Sequence, residues 1–125
     1  MSTELAPGYH KDVATLSAYY HGEADDLRAV VRCIRPVMEG FLRSTYHGSF
    51  AEKEWLGDMI VRIRDAAPGQ PLDGAQSMLS DIESLNDYTK RYHHDDNSPK
   101  QGTEPIQDLE LQAFAKLTLK ITNRL

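Results

Sequence analysis

Residues 26–46, DLRAVVRCIRPVMEGFLRSTY, form the longest amphipathic run in the chain. Placed at about 100° per residue, its apolar side chains recur at the spacing of a helix that packs on a core. These side chains are Leu27, Val30, Val31, Ile34, Met38, Phe41 and Leu42. Asp25 or Asp26 can cap the first turn, and Gly48 follows the last. The run therefore predicts one long helix around which the remaining segments pack.

Pro36 lies inside this predicted helix and leaves two structures open. A proline removes one backbone hydrogen bond and clashes with the carbonyl four residues back, at roughly 3 kcal/mol. Either the helix kinks at Pro36, or Pro36 is the first residue of a second helix. The helical wheel places Pro36 opposite the apolar stripe, and the apolar pattern continues in phase across it. This favours a single, kinked helix.

Length and composition indicate one small cytoplasmic domain. The chain has 125 residues and a net charge of −5, so no global basic field attracts nucleic acid. The single Cys33 cannot form an internal disulfide and is typical of a reducing compartment. The chain contains no run of about 18 apolar residues, so no membrane span is predicted, and the N-terminus lacks a signal-peptide pattern. We therefore expect no membrane partner.

Helical periodicity also covers the other segments. It predicts a short helix over 11–20 and helices over 52–66, from Asp73 to about residue 93, and over 107–124. Residues 1–10 are expected to be flexible, 67–72 to form a loop, and 95–105 an exposed loop. No segment alternates apolar and polar residues, so the chain is predicted to be all-α. It should have four main helices plus a short N-terminal one, in a single domain over 11–125. The predicted core contains Phe41, Trp55, Ile60, Ile82, Leu85 and Phe114.

A charged stripe beside the apolar face of residues 26–46 is the first candidate site. It consists of Arg28, Arg32, Arg35, Glu39 and Arg43. Arg35 and Glu39 are four residues apart, so their side chains share one helix face. One interpretation is a surface ion pair of little energetic value. The other is an arginine that holds a phosphate beside a glutamate that transfers a proton.

The second candidate is residues 86–97, NDYTKRYHHDDN, at the end of a predicted helix. A histidine with charged neighbours can exchange protons near neutral pH, so His93 and His94 are candidate acids or bases. On the helical wheel, Asn86 and His93 share the edge of the apolar face. Tyr92 and Asp95 are the neighbouring residues that could support them. We expect this helix end to lie close to Arg35 and Glu39.

Other interpretations of residues 86–97 remain open. Lys90 and Arg91 suit the dipole at a solvated helix C-terminus, and they could also contact nucleic acid. A metal site is less favoured, because adjacent residues rarely converge on one ion. Its ligands would be His93, His94, Asp95 and Asp96. We therefore expect no metal and no cofactor. The sequence contains no GxxxxGK[ST] phosphate-binding loop and no GxGxxG, HExxH, CxxC or GxSxG, so the chain is not an ATPase by itself.

Four segments, in the same order, resemble the C-terminal region of large bacterial ATPases of the anticodon-nuclease family. They are IRPVMEGFLRSTYHGSF, EWLGDMIVRIRDA, LNDYTKRYHHDDN and EPIQDLELQAFAKLTL, within about residues 16–119. Members of this family cleave tRNA in stress and phage defence and carry an ABC-type ATPase body. An Arg-x-x-x-Glu pair and a later histidine form their nuclease triad. The resemblance implies that Arg35, Glu39 and either His94 or His93 have these roles.

Three functional hypotheses follow. The resemblance implies a metal-independent endoribonuclease that acts on tRNA or another RNA. The alternative is a non-catalytic interaction or dimerisation module that couples to an ATPase domain or a partner protein. Its packing surface would be the small residues on the back of the long helix, Ala29, Cys33 and Gly40. A third hypothesis is a catalytically silent nucleic-acid binder that uses the basic stripe.

Overall fold

The computed structural model describes residues 8–23, 26–92 and 105–125, and all regular structure in these ranges is helical. This confirms the all-α prediction of one compact domain with five α-helices. None of the described helices is both long and apolar enough to cross a bilayer. The elements are α1 (Tyr9–Tyr20), α2 (Leu27–Thr45), α3 (Leu56–Arg64), a 3₁₀ segment (Pro71–Met78), α4 (Leu79–Lys90) and α5 (Asp108–Ile121).

Helix α2 is the central element, because its apolar stripe faces the core. Helices α1, α4 and α5 pack against it, while α3 packs mainly on α4 and the 3₁₀ segment. Burial of this stripe is the main stabilising term for such a helix, since propensity alone contributes little. The fully buried side chains of the core include Leu16, Val30, Ile34, Met38, Leu42, Leu56, Met59, Ile63, Ile82, Leu85, Leu111 and Leu119.

The two ends of α2 and its proline follow the sequence prediction closely. The Asp26 carboxylate accepts a hydrogen bond from the Arg28 backbone N–H at 3.1 Å, whereas Asp25 lies outside the described residues. Pro36 is exposed within one continuous helix, so the alternative of two helices is wrong. The helix ends at Thr45, and Gly48 follows in the left-handed conformation at φ 85°. That conformation favours glycine.

Helix α3 begins four residues later than predicted. The Glu54 carboxylate accepts from the Ala51 backbone N–H at 2.7 Å and closes a turn before the helix. Trp55 is the N-cap residue, in an extended conformation, and its backbone N–H donates to the Asp58 carboxylate at 3.0 Å. Because Trp55 precedes the helix, it does not share the apolar face, and its side chain is 64% exposed. Its predicted place in the core is therefore wrong.

The segment before α4 also differs from the prediction. Residues predicted to begin a capped α-helix at Asp73 form the 3₁₀ segment, and α4 starts only at Leu79. The Asp73 carboxylate accepts from the Gly69 N–H at 3.3 Å, so it stabilises the preceding turn instead of capping α4. Gly74 disfavours a regular α-helix here, because glycine has a low helix propensity.

The remaining predictions on the core and the termini have mixed outcomes. Ile60, Ile82 and Leu85 are buried as predicted, while Phe41 and Phe114 are half-buried against the edge of the core. Helix α1 starts at residue 9, two residues before the expected domain boundary, and the first seven residues lie outside the described ranges. Of the loop expected over 95–105, residues 95–104 also lie outside them.

Candidate functional site

A cleft of about 620 Å³ opens between α2, the start of α3 and the end of α4. This volume is in the range of small-molecule and cofactor pockets. The side chains around it are Val31, Arg32, Arg35, Pro36, Glu39, Trp55, Thr89 and Tyr92. The cleft therefore brings the Arg35–Glu39 pair together with Tyr92, the residue that directly precedes His93.

Glu39 is the deepest charged group in the cleft wall. Its side chain is only 6% exposed, and its Oε2 accepts a hydrogen bond from the Leu56 backbone N–H at 2.7 Å. Leu56 is the first residue of α3, where backbone N–H groups have no partner within the helix and an anion is favoured by the dipole. Glu39 thus caps α3 from a neighbouring helix. Its position beside the apolar stripe of α2 did not predict this role.

Burial raises the pKa of Glu39 above its ordinary value. The Leu56 N–H and the positive charges of Arg35 and Arg43 act in the opposite direction, but they do not offset the loss of hydration. A carboxyl group with a raised pKa at a cleft is suited to proton transfer. Glu39 therefore combines a structural bond through one oxygen with a protonation equilibrium shifted toward neutral pH.

Arg32 and Arg35 line the cleft beside Glu39. Within residues 8–23, 26–92 and 105–125, no hydrogen bond or salt bridge engages either guanidinium group. The surface ion pair that the spacing of Arg35 and Glu39 suggested is therefore not formed, because Glu39 is buried and binds the Leu56 N–H instead. The two arginines remain available to an anionic ligand.

The other basic candidates lie elsewhere. Arg43 donates to the Glu54 carbonyl and holds the turn before α3. Arg91 forms a salt bridge with Glu110 of α5 at 3.1 Å and lies over the Tyr92 ring at 5.3 Å. Lys90 is exposed and Arg28 is half-buried, and neither lines the cleft. Of the basic side chains predicted to contact nucleic acid, only Arg32 therefore borders the site.

The end of α4 forms the third wall of the cleft. Thr89 and Tyr92 line it, and the Thr89 hydroxyl donates to the Leu85 and Asn86 carbonyls at 3.0 and 3.1 Å. The buried Asn86 side chain has an Oδ1 with no hydrogen-bond partner among the described residues. His93, His94, Asp95 and Asp96 lie outside those residues. The structure thus brings together Arg35, Glu39 and Tyr92.

Trp55 is the cleft residue that sequence reasoning missed. An aromatic residue before an apolar helical stripe was interpreted as part of the core. A signal against this was present, because Asp58 stands three residues after Trp55, at the spacing of a residue that caps the N-cap backbone. That spacing marks Trp55 as the residue before the helix and not the first residue of its buried face.

The small-residue surface of α2 is already covered within the molecule. Cys33 and Gly40 are buried, and a Cβ added to Gly40 would overlap the ring of Tyr9 in α1. Small residues here allow α1 to approach closely. An interaction module would consequently need a different surface from the one that the sequence suggested.

A scan against protein-family models gave no match to this chain, and searches of curated proteins and of solved structures gave none either. Its function must therefore be inferred from the chemistry of the cleft. In the described ranges, no cluster of three or more His, Cys, Asp or Glu side chains is placed to hold a metal ion. The cleft supplies two guanidinium groups, a carboxyl group of raised pKa and an exposed indole.

Proposed function

We propose that the cleft binds RNA and cleaves it without a metal ion, with tRNA as the substrate that the resemblance to the anticodon nucleases favours. One observation carries the proposal. Arg35 and Glu39 of α2 line the same cleft as Tyr92, the residue before the two candidate histidines. The resemblance also implies a setting in stress or phage defence, with an ATPase domain as partner and the bacterial cytoplasm as location.

The reaction needs one base, one acid and one cation. The base removes the proton of a ribose 2′-hydroxyl, whose oxygen then forms a bond to the adjacent phosphorus. The bond from phosphorus to the 5′ oxygen breaks, and the acid gives that oxygen a proton. The products are a 2′,3′-cyclic phosphate and a free 5′-hydroxyl. Glu39 and one of His93 or His94 share the acid and base roles, and Arg35 stabilises the negative charge that develops on the phosphoryl oxygens.

The surroundings of each group support this division of roles. The Oε2 of Glu39 is held by the Leu56 N–H, so proton transfer would use Oε1, to which no described group hydrogen-bonds. Arg35 forms no hydrogen bond or salt bridge with the described residues, and guanidinium groups bind phosphate with two parallel hydrogen bonds. A fixed carboxylate and an unpaired arginine in one cleft are suited to phosphoryl chemistry on RNA.

The test is incubation of the purified protein with total tRNA in EDTA. Wild type should cleave, whereas cleavage should be strongly reduced in Arg35→Ala, Glu39→Gln and a His93→Ala/His94→Ala double variant. Arg64→Ala is the matched control, because Arg64 pairs with Glu83 on an exposed face at 2.9 Å and does not line the cleft. It should cleave like wild type. A substrate with a 2′-deoxy group at the cut should be inert, since the nucleophile is absent.

Equal cleavage by wild type and the double histidine variant would indicate a contaminating nuclease. The nuclease proposal would then be abandoned in favour of a non-catalytic module. Absence of cleavage by wild type on every RNA tested, with the protein folded, would have the same consequence.

A further inference from the structure

We infer that Trp55 is a stacking platform for an unpaired base and that Arg32 binds a neighbouring phosphate, so that the cleft selects single-stranded RNA. This inference rests on the proposed function, because it names the class of substrate that the same cleft accepts. It assigns a role to the one aromatic side chain of the cleft that is exposed.

The exposure of Trp55 has no explanation in the packing of the domain. Its indole is 64% exposed, while its backbone is held firmly at the start of α3. The Trp55 backbone N–H donates to the Asp58 carboxylate at 3.0 Å, and the Trp55 carbonyl accepts from the Met59 backbone N–H at 3.0 Å. A large apolar surface presented on a fixed backbone at a cleft is typical of a recognition site.

The charges beside Trp55 suit a nucleic acid. Arg32 and Arg35 line the same cleft, and no described side chain pairs with either of them. The carboxylate in the cleft wall, Glu39, is buried and bonded to the Leu56 N–H. Proteins that bind single strands combine cationic groups for the backbone with aromatic side chains for the bases. The cleft offers both within about 620 Å³.

A duplex would not use this surface in the same way. The bases of an A-form helix stay stacked on each other, and its deep, narrow major groove excludes side chains. A duplex could present phosphates to Arg32 but no free base face to Trp55. An RNA loop or single strand can present both, so affinity should depend on an unpaired base.

Trp55 is the only tryptophan in the chain, so intrinsic fluorescence reports on this position directly. The His93→Ala/His94→Ala variant prevents cleavage of the probe during titration. An unstructured oligoribonucleotide of about ten nucleotides, which is within the usual range for one single-strand binding site, is compared with its duplex. The single strand should quench the fluorescence, and the duplex should quench it much less.

Polarisation of a dye-labelled oligoribonucleotide then measures the contribution of the indole. Trp55→Ala should raise Kd about 5- to 150-fold, the range of one lost stacking contact. Trp55→Phe should recover most of the affinity, because it keeps an aromatic face. Val61→Ala is the control, since Val61 is an exposed apolar residue of α3 outside the cleft, and its Kd should equal that of the parent.

The outcomes separate this inference from the nuclease proposal. Strand-selective quenching and a loss of affinity in Trp55→Ala, without cleavage by wild type, support the binding site and reject catalysis. Cleavage by wild type, with equal binding of single strand and duplex and no effect of Trp55→Ala, rejects the stacking role alone. Absence of binding to any RNA overturns both. Should Trp55→Ala fail to fold, the comparison of single strand and duplex still decides.

Discussion

Two depressions meet the start of α3, and their charges are arranged in opposite ways. The larger, of about 860 Å³, contains Glu54 and Arg62, which form a salt bridge at 2.6 Å. The smaller cleft, of about 620 Å³, contains the buried Glu39 beside Arg32 and Arg35, which form no hydrogen bond or salt bridge with the described residues. Asp58 and Asp65 also line the larger depression, so acidic side chains predominate there, whereas the charged side chains around the smaller cleft are two arginines and the buried glutamate. The sign of the exposed charge, and not the size of the depression, therefore favours the smaller cleft as the site for an anionic ligand.

The two glutamates near the start of α3, Glu54 and Glu39, have pKa values that are shifted in opposite directions. The hydrogen bond from Arg62 is the main reason that the pKa of Glu54 is lowered, and the Ala51 N–H adds to it. Burial instead raises the pKa of Glu39. A carboxylate with a lowered pKa is a fixed anion, while one with a raised pKa can exchange protons under mild conditions. Of these two carboxyl groups, Glu39 is therefore the better suited to acid–base catalysis.

The largest expected effect is on cleavage. Arg35→Ala should lower the rate of tRNA cleavage by about 10²–10³, the usual loss when one preorganised group that stabilises developing charge is removed. Arg62→Ala, in the other depression, should leave the rate unchanged. Initial rates under single-turnover conditions measure both. Similar losses in the two variants would mean that the contrast between the depressions has no functional basis.

Next in size is the stability of the fold. Glu39→Ala removes a buried acceptor and leaves the Leu56 N–H unsatisfied, so the free energy of unfolding should fall by about 1–3 kcal/mol. Glu39→Gln keeps an acceptor of the same shape and should be at least as stable as wild type at neutral pH. Urea melts followed by circular dichroism measure this. A loss below about 0.5 kcal/mol in Glu39→Ala would show that the cap is not formed.

The contrast between Glu39 and Trp55 also shows what the sequence could predict. The apolar stripe of α2 is a local, periodic signal, and the helix forms where that signal places it. The burial of Glu39 depends on the Leu56 N–H, which lies on a different helix, and no pattern within α2 encodes that bond. The exposure of Trp55 follows from a helix start that was predicted four residues too early.

The candidate site was partly predictable for the same reason. The spacing of Arg35 and Glu39 is a local signal, and it predicts that both side chains share one helix face. Which arginines would be paired depends on tertiary contacts, so Arg43 and Arg91 were assigned to nucleic-acid binding although they bind the Glu54 carbonyl and Glu110. His93 and His94 lie outside the described residues, and their role stays a prediction.

A smaller effect is expected in the pH dependence of stability. The pKa of Glu39 in the folded protein is above its ordinary value of 4.5. At a pH between 4.5 and this folded pKa, the folded protein keeps a proton that the unfolded chain has lost. The free energy of unfolding should therefore fall as pH rises through this window, by at most about 1.4 kcal/mol per pH unit for one proton. Measured in melts across this window, the free energy of unfolding of Glu39→Gln should rise relative to that of wild type as pH rises, because only wild type loses the buried proton. A constant difference between them would contradict the raised pKa.

The smallest expected effect concerns the salt bridge in the larger depression. Arg62 is half exposed, so its bond to Glu54 is screened by water and should contribute about 0.2–1 kcal/mol. A double-mutant cycle with Glu54→Ala, Arg62→Ala and the double variant isolates this coupling. The pKa of Glu54 is lowered in the folded protein. Its contribution to stability is therefore fully present above the ordinary pKa of 4.5 and is lost as pH falls through the lower, folded pKa, which is the opposite of the behaviour of Glu39. The coupling should also shrink in high salt. A coupling well above about 1 kcal/mol would contradict the expectation that water screens this exposed pair.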